Sequence, residues 1–534
     1  MVLARTRSVC IDGVRGHVVE VEADITAGLP GTCLVGSVDA SLGEARDRCR
    51  AAVVNSGCAW PARKVTIGLS PASLPKAGAH YDLAIAVAVL AAAGVVPSDA
   101  LQDAVLLGEL ALDGRLRAVP GVLPATLAAS RAGLSRVLVP EANAVEAQQV
   151  AGVRVVAARS LGHVVALLTD ADPPDDPPVE ALQHVGDLAW RGEDRTAGLD
   201  LRDVLGQDDA RFALEATAAG GHHLLLTGPP GAGKTMLAER LPGLLPDLDP
   251  DHCLEVSAVH SVAGVLTPDD PLVRRPPFVD PHHSASMVSI VGGGSRTIRP
   301  GAASMAHRGV LFLDEAPEFN ANVIEALRQS LESGQVTINR ANRTAWFPAR
   351  FQLVLAMNPC PCGLEGSDCS CPPAVRRRYA DRLSGPIRDR VDVHRVLQAV
   401  ARHQVLDQLS RPEPTAVVAG RVAEARDRQR ARYAGTPWRR NADVPGGELR
   451  RWWPLAPEIT TALHEGRHRG RVSARGMDRI MRLAWTVADL SGRPAPGADE
   501  VAAALALRNG APLSGSLAPK PRLASQAEVE QAEM

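Results

Sequence analysis

Aromatic side chains are scarce, only 3% of the 534 residues, and the basic residues are almost all arginine. Apolar volume must therefore come from Ala, Val and Leu, and hydrophobic residues still make up 46% of the chain. Long apolar runs are missing as well. No stretch reaches the roughly 18 uninterrupted apolar residues of a membrane span. The opening residues, Met1 to Gly13, hold neither an apolar signal core nor a small-residue cleavage site. These absences predict a cytoplasmic protein with no membrane partner. In that compartment its nine cysteines are expected free or metal-bound rather than paired.

The chain is too long for one core, and at roughly 150 residues per domain it predicts three or four. The net charge of −2 hides an asymmetry: Cys371 to Ile480 carries 23 Arg against 12 Asp plus Glu. Such a bias fits a polyanionic partner, or else a solvated helical face with many i, i+4 ion pairs.

Residues 1–168 alternate short β-branched runs with Ala-rich helical stretches. Strands are expected at Gly16–Asp24, Lys64–Gly68 and Val137–Val139, and helices at Ser41–Asn55, Asp82–Ala93 and Leu123–Ala132. Residues 169–199 read as a linker, opening with an acidic, proline-rich segment, Thr169 to Pro178, that cannot continue a helix or a central strand. An α/β region follows over 200–396, with apolar runs at His223–Thr227, Val310–Leu313 and Phe351–Met357 that suit buried parallel strands. Residues 397–516 become helical in pattern, and 517–534 form a polar tail. The fold class expected is α/β.

The first of those apolar runs enters Gly228, Pro229, Pro230, Gly231, Ala232, Gly233, Lys234 and Thr235. This is G-x-x-x-x-G-K-[ST] between a strand and a helix, the phosphate loop of ATP-binding proteins. Its glycines let backbone N–H groups approach the phosphates. Lys234 is expected to reach the β and γ phosphates, and the Thr235 hydroxyl to ligate Mg²⁺. About 80 residues on, Gly309 to Leu313 runs into Asp314 and Glu315. Asp314 at that strand's carboxyl end is expected to hold Mg²⁺, with Glu315 polarising the attacking water. A third apolar strand ends in Asn358, placed to orient water or read the γ-phosphate.

Together these residues resemble the AAA+ ATPases, in particular the Mg-chelatase-like family known as YifB or ComM. The resemblance extends through Gly28-Leu-Pro-Gly, Pro71 to Lys76, Pro281-His-His-Ser, His307 to Phe319, Asn358 to Gly363, Asp389 to Asp392 and Ser473-Ala-Arg475. It implies a homo-oligomeric ring, a hexamer, with nucleotide at each interface and a helical lid at the C-terminus. Arg390 resembles an arginine finger supplied to the neighbour's γ-phosphate, and Arg475 the second sensor on the lid. The region 1–168 resembles the Lon protease fold. His80 stands where that family carries its Ser nucleophile, and Leu123 where it carries its Lys, so no peptidase activity is expected. By resemblance the chain moves DNA, single-stranded or branched, in branch migration or helicase-like remodelling. The competing reading is a protein-remodelling or metal-insertion ATPase acting through a partner.

Three constellations remain. Gln335 to Arg350 has two strand-like arms around a polar turn, and its Arg340 and Arg343 are candidates to track a phosphate backbone. The glycine-rich Gly292 to Gly301 offers Arg296 and Arg299 for the same task. For both segments the alternative is solvated loop charge. Cys360, Cys362, Cys369 and Cys371 place four thiols within 12 residues. That suits a tetrahedral Zn²⁺ site, free buried thiols or a redox disulfide. His282 and His283 read as structural residues, with ligation or substrate contact as the alternatives.

Overall fold

The computed structural model describes residues 2–36, 40–182, 195–294, 298–340, 343–364, 369–399, 412–461 and 473–513, with the side chains of Val2, Ala40, Ser41 and Arg343 excepted. Arg296, much of the expected linker and the polar tail lie outside these residues.

The amino-terminal part holds a four-stranded sheet in the order Val2–Asp12, Arg15–Thr26, Lys64–Ser70, Gly31–Val35, and a parallel sheet of Ala104–Leu106, Arg136–Pro140 and Arg154–Ala158. Helix Asp82–Ala92, apolar on every side, is buried along its whole length. Asp82 at its first turn is buried too, and its carboxylate accepts two hydrogen bonds from Arg48, at 2.8 and 3.0 Å. After helix Leu161–Leu168 the chain turns irregular. The proline-rich segment nonetheless lies against this part: Arg159 donates to the Asp176 carbonyl at 3.0 Å, and Val179 N to Glu141 at 3.4 Å.

The central sheet is wholly parallel, in the order Phe278–Val279, Val310–Leu313, Gln352–Met357, Leu224–Thr227, Val393–Val396. Side chains alternate across a pleated strand, so each apolar run feeds two cores. Leu224, Leu226, Val310, Phe312, Val354 and Ala356 face the carboxyl-terminal helices. Leu225, Leu311, Leu313, Leu353 and Leu355 face the hairpin made by Gln335–Arg340 and Arg343–Pro348. The first core takes in Val422, Tyr433, Leu483 and Leu507 from helices Thr415–Arg432, Ala474–Leu490 and Ala498–Asn509 and their surroundings. No helix among the described residues is long and apolar enough to cross a membrane.

Several arginines of the segment from Cys371 to Ile480 are paired inside the fold. Arg421 pairs with Glu215 and Glu413, Arg432 with Asp489, Arg395 with Asp209 and Arg479 with Asp392. Two of those acids, Glu215 and Asp209, come from helix Asp208–Gly220 upstream. Arg376, Arg377 and Arg378 on helix Pro373–Asp381 are instead exposed.

Candidate active site

The phosphate loop bridges strand Leu224–Thr227 and helix Lys234–Arg240. Gly231 and Gly233 take φ of 76° and 90°, a region that side chains resist. A Cβ added at either would meet no atom within 4 Å. The loop is therefore open where phosphates would lie. The Lys234 ammonium donates to the carbonyls of Gly228 at 2.7 Å and Pro229 at 2.9 Å, and to Oδ1 of Asn358 at 3.0 Å. Asn358 thus holds the lysine beside the loop.

The Thr235 hydroxyl donates to Oδ2 of Asp314 at 2.7 Å, and Oδ1 of Asp314 accepts from the Glu315 amide at 2.9 Å. A hydroxyl and a carboxylate oxygen this close form a hard, oxygen-only pair that suits Mg²⁺. Glu315 has φ of 51°, a conformation that costs energy for a residue with a Cβ. Its Oε2 lies 3.2 Å from Nδ1 of His283. The His282 ring lies tilted by 34° against that of His283, with centroids 4.1 Å apart. The sequence reads both histidines as structural, with ligation or substrate contact as alternatives, and the fold places His283 on the glutamate.

Arg390 and Arg475 sit elsewhere. Strand Val393–Val396 runs parallel to Leu224–Thr227, and the Asp392 amide donates to the His223 carbonyl at 3.2 Å. Arg390 therefore lies off the amino ends of the strands, whereas the phosphate loop leaves their carboxyl ends. A four-residue strand separates the two by about 13 Å. Arg390 pairs with Glu332 and donates to the Pro386 carbonyl at 2.7 Å. The largely exposed Arg475 lies 3.8 Å from Asp389, one residue before Arg390 in the chain.

The two arginine-bearing loops come together. Gly292–Gly293 pairs with Arg299–Pro300, and a Cβ on Gly293 would lie 3.3 Å from the Arg340 guanidinium. Arg299 and Arg340 are both exposed. The hairpin is also gripped from behind: the Arg15 guanidinium lies 4.0 Å over the Trp346 ring, and Gly13 packs so closely on the Trp346 backbone that no Cβ fits. His80 and Leu123, from the amino-terminal part, each have other neighbours. His80 Nε2 lies 3.0 Å from the Val9 carbonyl, and Leu123 is buried with Val150 and Ala258.

The sulfurs of Cys360, Cys362, Cys369 and Cys371 all lie within 4.8 Å of one another.

Comparison with known proteins adds a family to this geometry. Residues 200–405 match the family described as magnesium chelatase, subunit ChlI; residues 21–143 match subunit ChlI of Mg-chelatase, and 412–508 its C-terminal region. An uncharacterised protein of Mycobacterium tuberculosis is 50% identical over 509 residues, covering 95% of this chain and 99% of the relative. The protein YifB of Escherichia coli is 41% identical over 489 residues, 90% of this chain and 91% of its own length. The competence protein ComM of Haemophilus influenzae is 39% identical over 481 residues, covering 90% and 92% of the two chains.

Proposed function

The chain belongs to the YifB/ComM Mg-chelatase-like family of AAA+ ATPases, and from that premise we propose that it is an ATP-driven ring motor acting on branched or single-stranded DNA. Residues 200–396 form the motor and 397–516 its helical lid. Residues 1–168, a Lon-like unit without peptidase activity, brace the DNA-facing hairpin through Arg15.

In this reading Lys234 binds the β and γ phosphates while Asn358 keeps its ammonium in place. Mg²⁺ held by Thr235 and Asp314 supplies charge neutralisation at the phosphates. Glu315 takes the proton of the attacking water once its contact with His283 is broken. Arg390 and Arg475, off the far end of the strands, serve the nucleotide of a neighbouring copy. The observation that carries the DNA assignment is the joining of two exposed cations, Arg299 and Arg340, on adjacent loops of one ATPase unit. The Haemophilus relative, a competence protein by name, supports it.

The test is ATP turnover with and without forked or four-way DNA over a salt series. Stimulation that falls steeply with salt is expected. Substituting Arg299→Ala and Arg340→Ala should lower the slope of log affinity against log salt by roughly 0.7–0.9 per lost phosphate contact. Indifference to every DNA, with stimulation by a co-purifying protein, would favour a remodelling or metal-insertion ATPase instead.

A further inference from the structure

We propose that Cys360, Cys362, Cys369 and Cys371 bind one structural Zn²⁺, and that this metal clamps the roof of the nucleotide pocket to the start of the arginine-bearing helix Pro373–Asp381. The sulfur spacing is the first ground. Cys360 lies 3.1 Å from Cys362 and 3.4 Å from Cys369, and Cys362 lies 3.7 Å from Cys369. Four thiolates around zinc with bonds of about 2.3 Å stand roughly 3.8 Å apart, whereas a disulfide needs about 2.05 Å. Four protein ligands is also the number that closes a structural site. Cys360 is fully buried and Cys369 and Cys371 half-buried, so only Cys362 faces solvent.

The second ground is where the cluster is fastened. Cys360 follows two residues after Asn358, whose side chain holds Lys234. The Gly363 amide closes a turn onto the Cys360 carbonyl at 3.0 Å. Gly363 has φ of 76°, and a Cβ there would lie 2.8 Å from two ring carbons of Pro230 in the phosphate loop. The turn carrying the first two thiols is thus pressed on the pocket. The last thiol, Cys371, leads through Pro372 into the helix that exposes Arg376, Arg377 and Arg378. Metal binding releases the thiol protons, up to four, and leaves a centre of net charge −2 on the cysteines. It ties residues 360–371 into a short closed loop, which removes chain entropy as a cross-link does. The pocket roof and the helix base then move as one piece.

The proposal does not depend on the DNA reading, and its first readout is metal rather than activity. The full-length chain, purified without added metal, should hold one zinc per chain by elemental analysis. Cobalt in its place should give the absorption of a tetrahedral thiolate site. Cys362→Ser with Cys369→Ser should lose the metal and weaken a fluorescent ATP analogue severalfold. Should that variant fail to fold, the wild-type chain stripped by chelator and refilled must lose and regain the same affinity. Lys234→Ala should keep its zinc while losing nucleotide, which separates this site from the ATP assignment. A zinc-free chain that takes up no cobalt into a thiolate site overturns the proposal. Bound zinc with equal nucleotide affinity in both forms overturns the clamp.

Discussion

If Lys234 binds the phosphates and Glu315 activates the water, as proposed, their loss should separate binding from hydrolysis. Lys234→Ala removes a cation from a phosphate cradle, and charged hydrogen bonds are worth about 1.5–3 kcal/mol each, roughly 10- to 150-fold in affinity. Glu315→Gln should bind ATP normally and turn over about 10²–10⁴-fold more slowly, the range for a lost general base. Titration with a fluorescent nucleotide, run beside a phosphate-release assay, separates the two; normal turnover in Glu315→Gln removes that residue from catalysis. His283 allows a sharper test, because its Nδ1 lies 3.2 Å from the glutamate carboxylate. If this contact holds the base back, His283→Ala should raise turnover without DNA and shrink the stimulation that DNA brings. Unchanged basal turnover would show the contact to be idle. The phosphate loop and Asp314 were legible in sequence because their chemistry requires fixed neighbours along the chain. His283 was not, being 32 positions from Glu315 and joined to it only by the pairing of strand Phe278–Val279 with Val310–Leu313.

Helix Pro250–Ala263 joins the amino-terminal part to the ATPase core. Its Ala258 packs with Leu123 and Val150, and its His260 Nε2 lies 3.0 Å from the Met305 carbonyl. Burial holds His260 down to about 4, against an ordinary value of 6.5. The unfolded chain therefore binds the proton more readily between those values. Stability is full above pH 6.5 and is lost as the pH falls toward 4, by at most about 1.4 kcal/mol per pH unit from this group. His260→Gln keeps a donor for Met305 and should flatten that part of the pH dependence; denaturant midpoints at pH 7 and 5 report it. An equal slope in wild type and variant would remove His260 as its source. Legibility at this scale followed hydrophobicity. The buried runs near 224, 310 and 352 announced the parallel strands, whereas Val2–Asp12 escaped notice. On one face it buries Ala4, Thr6, Ser8 and Cys10, too small and polar to give an alternating apolar signal, and Val9 is buried on the other. Thr6 is accommodated by donating to the Ala84 carbonyl at 2.9 Å.

If Arg390 serves hydrolysis as proposed, the groups that act on one nucleotide stand at opposite ends of one sheet, and the site is complete only with a second copy. Sequence order shows only that Arg390 follows Asn358, whereas strand direction fixes the end of the sheet at which it lies. The loop with Lys234 leaves the carboxyl ends of the strands, while Arg390 precedes the amino end of Val393–Val396 and is paired to Glu332. An arginine so placed meets a γ-phosphate only when copies stack head to tail, the arrangement that closes into a ring. Arg390→Ala should then bind ATP and lose hydrolysis, because a trans arginine contributes roughly 10³–10⁵ in rate. Lys234→Ala should be inactive for the opposite reason. Mixed one to one, the two inactive proteins should recover activity, since an interface is intact when the Arg390→Ala copy lends its loop and the Lys234→Ala copy its arginine. Random assembly makes that pairing at about a quarter of interfaces, half times half, if neighbours are drawn without preference. Activity near that fraction of wild type, seen only after subunit exchange, is the expected result. No recovery in oligomers whose mixing is confirmed by two-colour labelling would return Arg390 to its pairing with Glu332, as a group that holds helix Ala321–Ser333 and takes no part in hydrolysis.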